Sequence, residues 1–316
     1  MTFPTTPARP VRRWADASAL ALAATLVLTA CTGDGQRPVS DETNEPTRTA
    51  SPAPTEEPTA EPTSEPTTDP TSSPEGTVVP LYFAGDGPGG TALFREFQRV
   101  EGDPLTEAAR IIAGGGEPGD PDYRTLYPGG GFESVEATDG LLVVELADDG
   151  WATPAEGMNR RDARLAVQQL VYTLQGVQQE RVPVQVLLGG EPTTLFGIDT
   201  SEPFTAANAL RTLNLVNITS PAEGDTVTGD TLTVTGVANS FEASGPCRLL
   251  QDGQEIALEG YQSDGWMEER LFPFEVDLPL DGVTGEVVVQ CETDDPTGGT
   301  EGNGPAIDTK TIRIAG

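Results

Sequence analysis

NRRDARLAVQQLVYTL, residues 159–174, followed shortly by VPVQVLLGG, residues 182–190, decides how the middle of this chain folds. Asn159 is a favoured helix N-cap residue, and Ala163, Ala166, Val167, Leu170, Val171 and Leu174 then recur at the spacing of one apolar helix face. Val182, Val184, Val186 and Leu188 alternate instead, so the period drops to two and a strand follows the helix, ending at Gly189-Gly190. Pro183 marks that strand as a sheet edge. Upstream, residues 79–83 predict a short strand stopped by GDGPGG at 85–90, and residues 93–100 fit strand or helix equally. Asp103-Pro104 opens another helix over Leu105, Ala108, Ala109 and Ile112, and Gly114-Gly115-Gly116 stops it. Gly140 leads into an apolar strand at 141–146. Strands interleaved with two helices predict an α+β or α/β domain over residues 77–210, its helices packed on a small sheet.

From Leu213 onward the helical period disappears. Short alternating runs at 215–219, 231–235, 247–251, 255–258, 272–278, 286–292 and 309–314 are separated by turn residues such as Glu223-Gly224-Asp225, Asp252-Gly253 and Asp281-Gly282. That spacing predicts an all-β sandwich over residues 213–316.

Charge and composition exclude whole classes of function. The 316 residues carry 50 acidic against 18 basic side chains, a net charge of −32, which argues against nucleic acid as a partner because phosphate contacts need clustered Lys and Arg. There is no histidine, so a Ser-His-Asp triad, an HExxH zinc site and a histidine base are all impossible. Lys310 is the sole lysine, close to the C-terminus, which argues for excluding both Walker-A phosphate binding and Schiff-base chemistry.

The N-terminal part carries an address. Arg9, Arg12 and Arg13 precede an apolar run at 17–30 that is shorter than the ~20 residues of a membrane span, and its flanks fit a secretory signal peptide over residues 1–30. Leu28-Thr29-Ala30-Cys31 resembles the lipobox of bacterial lipoproteins, which implies acylation of the Cys31 thiol and cleavage before it. Residues 31–76 then form a Pro/Thr/Glu-rich spacer with PTEE (54–57), PTAE (58–61), PTSE (62–65), PTTD (66–69) and PTSS (70–73) in tandem. A segment with so few large apolar residues cannot offset its ordering entropy and is expected to be disordered. At about 3.1 Å per residue its extended reach is ~140 Å.

The order of Tyr82-Phe83, the helix over 108–113, Tyr-Pro-Gly-Gly-Gly at 127–131, Ser134-Val135, the 140–146 strand, the 163–174 helix and the 182–190 strand resembles the GerMN domain of sporulation and germination proteins. A long loop at 114–125 replaces that family's short Leu-x-x-Gly-Pro helix exit. Ile218-Thr219-Ser220-Pro221-Ala222-Glu223-Gly224-Asp225, then Val234-Thr235-Gly236-Val237-Ala238-Asn239-Ser240-Phe241-Glu242, resembles the Gmad2 domain, an immunoglobulin-like module found beside GerMN. The resemblance implies an immunoglobulin-like sandwich and a scaffold or docking role in an envelope complex.

Candidate chemistry is sparse. With Cys31 given to lipid, Cys247 and Cys291 remain in an exported chain, each on a predicted strand with apolar neighbours at alternate positions. A disulfide between them across the sandwich core is expected, the alternative being two buried thiols. The acidic loop at 294–303 has oxygen ligands suited to calcium but lacks the alternate spacing of an EF-hand, so a solvated loop is the simpler reading. Asp148-Asp149 and Glu268-Glu269 are the carboxylate pairs a glycosidase would need, yet adjacent acids arise by chance in so acidic a chain. Asn217-Ile218-Thr219 matches a glycosylation sequon but falls on a predicted strand, and Trp151, Trp266 and Phe272 are expected to be packing residues. The expectation is a non-enzymatic protein with no cofactor or metal, anchored through Cys31 on the extracytoplasmic face of the cell membrane. Its partners would be envelope proteins or wall polymer, the rival reading being a carboxylate-dependent wall hydrolase or carbohydrate-binding module.

Overall fold

From Thr77 the chain doubles back at Pro88-Gly89 into a long antiparallel hairpin, β1 (Thr77–Gly87) and β2 (Gly90–Val100). The computed structural model describes residues 76–316 apart from Pro296, Gly298, Gly299 and Glu301; the signal segment, Cys31 and the repeats of the spacer therefore lie outside the described residues. Residues 93–100 are strand, because each pairs with a residue of β1 and Phe94 stands opposite Phe83 in the ladder. Propensity alone left this stretch open; the partner strand decides it.

Helix α1 (Pro104–Arg110) begins at Asp103, whose carboxylate accepts the Thr106 N–H at 2.8 Å. It runs into a π turn over Ile111–Gly115 and ends where Gly114 adopts φ 97°, a conformation that disfavours a side chain. A second hairpin follows, β3 (Phe132–Thr138) and β4 (Leu141–Leu146). Helix α2 (Arg160–Gln178) is capped by Asn159, whose side-chain oxygen accepts from the Arg161 and Asp162 N–H groups at 2.8 and 3.1 Å. It crosses over to β5 (Val184–Leu188), which pairs parallel to β4, as a helical crossover permits.

The predicted face of α2 is buried at all six positions, against β1, β2 and α1, and each large aliphatic there contributes about 1.5–3 kcal/mol. Three polar side chains of the same helix are buried as well. Gln169 accepts the Leu126 N–H at 2.9 Å, Thr173 accepts the Tyr82 N–H at 3.1 Å, and Gln175 donates to the Val182 carbonyl at 2.7 Å.

Strand β5 is not the edge that Pro183 suggested. β6 (Glu191–Pro192) covers its outer side and gives the order β3-β4-β5-β6. Pro183 precedes the strand, where its missing N–H costs nothing while its carbonyl accepts from Leu142 N at 2.9 Å. A small ladder of β7 (Thr194–Leu195) and β8 (Ile198–Asp199) completes the first domain.

The short helix α3 (Ala209–Thr212) leads into β9 (Val216–Ser220), β10 (Thr226–Val227), β11 (Thr231–Ala238), β12 (Ser244–Gln251), β13 (Gln254–Ser263), β14 (Phe272–Pro279), β15 (Gly285–Glu292) and β16 (Ile307–Ile314). Their ladder order is β10-β16-β15-β12-β13-β14-β11-β9. The sheet curls until its far strands meet, and the Ile218 N–H of β9 donates to Asp308 of β16 at 2.6 Å. Alternation fills the interior: Phe272, Phe274, Val276 and Leu278 of β14 are buried while the residues between them are exposed. The described chain is thus a small helix-and-sheet domain followed by an all-β, immunoglobulin-like sandwich.

Candidate functional site

Lys310 lies on β16 in the run Asp308, Lys310, Ile312, Ile314, every one of them facing inward. A charged side chain at a core position needs a partner of opposite sign, and the first domain supplies it. The loop at 116–131 reaches the second domain with Asp120 and Tyr123. Lys310 Nζ donates to Asp120 Oδ2 at 2.5 Å and to the Tyr123 hydroxyl at 2.7 Å, and the Tyr123 hydroxyl donates to Asp308 Oδ1 at 2.5 Å. Asp308 Oδ1 is 3.7 Å from the same ammonium. Lys310 is 4 % exposed and Asp120 2 %.

Burial pushes the Asp308 carboxyl up, against the pull of Lys310, and pushes the Tyr123 phenol well up, with the Asp308 charge adding to it. Glu223 is likewise raised by burial. Its carboxylate accepts the Thr311 N–H at 2.7 Å, which pins the Pro221–Asp225 turn to β16. Glu96 of β2 holds the loop from the other side, accepting from the Gly119 N–H at 2.9 Å and the Asp120 N–H at 3.2 Å. Beside this cluster lies a cleft of about 290 Å³, with Phe97, Glu117, Thr219 and Glu223 among its walls.

A second seam runs along β2. The Leu93 carbonyl accepts the Asn214 N–H at 2.8 Å, Asn217 Oδ1 accepts the Arg95 N–H at 2.9 Å, and Arg95 Nη2 donates to Thr219 Oγ1 at 2.9 Å. Asn217, the asparagine of the sequon, is buried and committed to this seam. Chemically the Lys310 cluster is an ion pair hydrogen-bonded to Asp120 and Tyr123 rather than a free, reactive lysine. Sequence reasoning passed over it, although the alternation on β16 put the sole lysine on a core face and the loop at 114–125 departed from the family pattern at the same junction.

Cys247 and Cys291 are joined and fully buried. They do not span the core: they stand directly opposite each other on adjacent strands β12 and β15. In the curled sheet β12 and β15 are lateral neighbours, so two inward-facing residues in register meet within one wall. Cys31 lies outside the described residues.

Asp148 and Asp149 are exposed, Asp148 accepting the Gly150 N–H at 2.8 Å, and Glu268 pairs with Arg270 at 2.8 Å. The two acid pairs belong to different domains and share no cleft among those described. The 294–303 loop falls partly outside the described residues, among which no group of three or more potential metal ligands is found. Trp151 is buried edge-on to Tyr127 and Phe132, its indole N–H donating to the Gly129 carbonyl at 2.9 Å. Gly130, at φ 124°, is required there, since a Cβ would lie 2.8 Å from the indole ring. Phe272 is buried, and Trp266 packs edge-on to Phe241 near the surface.

Comparison with known proteins agrees with this architecture. Residues 80–194 match the Germane family, described as sporulation and spore germination. Residues 215–300 match Gmad2, the immunoglobulin-like domain of bacterial spore germination. No curated protein matches the chain. Among solved structures, a crystal structure of an engineered protein aligns at 14 % identity over 48 % of this chain and 36 % of its own length, with a TM-score of 0.27. This chain thus spans about a third of that protein, and the likeness carries no argument. Neither matched family is an enzyme family. The chain carries, in order, a sporulation and germination domain of the Germane family and an immunoglobulin-like domain of the Gmad2 family.

Proposed function

We propose that this protein is anchored by lipid on Cys31 to the extracytoplasmic face of the cell membrane and holds its two domains away from the membrane as a non-enzymatic docking unit. Its partners on this reading are other envelope proteins, or wall polymer. The observation that carries the docking role is the junction: a buried ion cluster and a hydrogen-bonded seam tie the domains together, so residues from both contribute to one continuous surface. The absence of histidine and the separation of the two acid pairs support a non-catalytic role. The anchor rests on the Leu28–Cys31 motif and the spacer on the proline repeats; two or more acyl chains hold a protein to a bilayer without help from its own surface.

Replacing Cys31 with Ala tests the anchor: the protein is expected in the medium or as uncleaved precursor, and membrane fractionation identical to the wild type overturns it. Cross-linking in intact cells followed by purification from membranes tests docking, with a defined envelope protein or wall fragment as the expected adduct. Release of soluble fragments from purified wall by the isolated protein would overturn the non-enzymatic reading.

A further inference from the structure

A cavity of about 190 Å³ sits where β2, the end of α2 and the second domain meet. Three of the residues lining it are arginines, Arg95, Arg181 and Arg270, and none is an acid. In a chain with 50 acidic and 18 basic side chains, three arginines around one cavity stand against the composition. Like charges repel one another, and Tyr82, hydrogen-bonded to Arg95, and Asn217 are the polar groups that share the lining with them.

Each arrives from a different element: Arg95 from β2, Arg181 from the turn after α2, and Arg270 from a second-domain loop. Asn239 fixes that loop, donating to the Glu268 and Arg270 carbonyls at 2.9 and 2.8 Å. Among the described residues neither Arg95 nor Arg181 has a carboxylate in ion-pair range. The Arg95 Nε is buried without an acceptor, while its guanidinium lies 4.9 Å over the Phe97 ring. Arg181 lies 5.4 Å over Tyr172. Arg270 pairs with Glu268, both of them exposed. Arginine carries five donors and no acceptor, so this cavity offers donors in excess.

We infer that the cavity binds a small organic anion through one carboxylate or phosphate group, held by Arg95 and Arg181 with Arg270 as the third cation. Guanidinium forks match both groups bidentately. Leu213, Val237 and Leu271 supply apolar lining for the stem of such a ligand. An adjoining cavity of about 200 Å³ shares Tyr82 and Arg181, adds Tyr172, and has Glu180 as its one acid. The net charge of −32 disfavours a polyanion, whose remaining charges would meet a repulsive field; a single anionic group needs only the three arginines. The inference is independent of the lipid anchor and of catalysis.

The test is calorimetric titration of the full chain with phenyl phosphate and with N-benzoylglycine, using the N-benzoylglycine methyl ester as a neutral control. Saturable binding of either acid, without binding of the ester, is expected, and which acid binds more tightly identifies the anionic group. Arg181→Gln and Arg270→Gln alter exposed side chains and leave the domain seam intact, and each should weaken binding by tenfold or more at unchanged melting temperature. Arg160→Gln, at the exposed start of α2, should leave binding unchanged. No saturable binding of either acid, equal binding of the ester, or unaltered affinity in Arg181→Gln would overturn the inference.

Discussion

Lys310 shows how much one side chain decides here. A buried ammonium between two carboxylates is stabilising only while all three are present, because the cost of desolvating each ion is met by its neighbours. Lys310→Met keeps an unbranched apolar stem as far as Cε and removes the charge, leaving Asp120 and Asp308 buried without a cation. The expected loss is about 3–5 kcal/mol in chemical denaturation, and Lys310→Met with Asp120→Asn should lose less than the two single changes added together. A single-mutant loss below about 1 kcal/mol would mean the cluster is hydrated and weak.

Asp308 adds a pH dependence with a definite sign. Its folded carboxyl is raised, chiefly by burial, so the native state takes up this proton more readily than the unfolded chain. The corresponding stability is fully present below the unfolded carboxylate range and is lost as pH rises through the raised folded value. As pH falls from neutrality toward the ordinary carboxylate range the wild type should therefore gain melting temperature relative to Asp308→Asn. A parallel pair of curves would show that Asp308 titrates normally.

At the scale of elements, α2 and the 116–131 loop follow different rules. The apolar stripe and the Asn159 cap made the helix legible in advance. Asn159→Ala removes the acceptor for two N–H groups and should cost about 1 kcal/mol, read as a shift in denaturation midpoint with an unchanged slope. The loop has no period to read, and its course is fixed by contacts from outside it: the Glu96 carboxylate beneath and β16 beyond. The disulfide is likewise a link between elements, tying β12 to β15 across a separation of 44 residues. Reduction should lower stability by up to about 4 kcal/mol in the chain-entropy account. Thiol counting on unreduced, denatured protein should find neither Cys247 nor Cys291 free.

For the whole molecule, the junction predicts coupled unfolding. All the described residues fall in one contact unit, although each domain has its own apolar core. Trp151 reports on the first domain and Trp266 on the second. Trp266→Phe and Trp151→Phe variants, each read at the remaining tryptophan of the mature domains, should give coincident unfolding curves. In the Lys310→Met background the two curves should separate. Curves that are already separate in the presence of Lys310 would mean the domains are held together only loosely.

The sequence by itself determined the local periods: the two helices opened by Asp103 and Asn159, the alternating strands of the second domain, and that Cys247 and Cys291 face inward. Periodicity reports which face of an element is apolar, and that is enough to assign fold class and core. Tertiary structure alone decided that residues 93–100 are strand, that β5 is covered by β6, and that the two cysteines are lateral neighbours rather than facing ones. It also brought Lys310 to Asp120 and three arginines to one cavity. Each of those outcomes pairs groups far apart along the chain, and no local pattern encodes the partner of a residue: pairing is fixed only when burial forces a strand, a charge or a donor to find its complement.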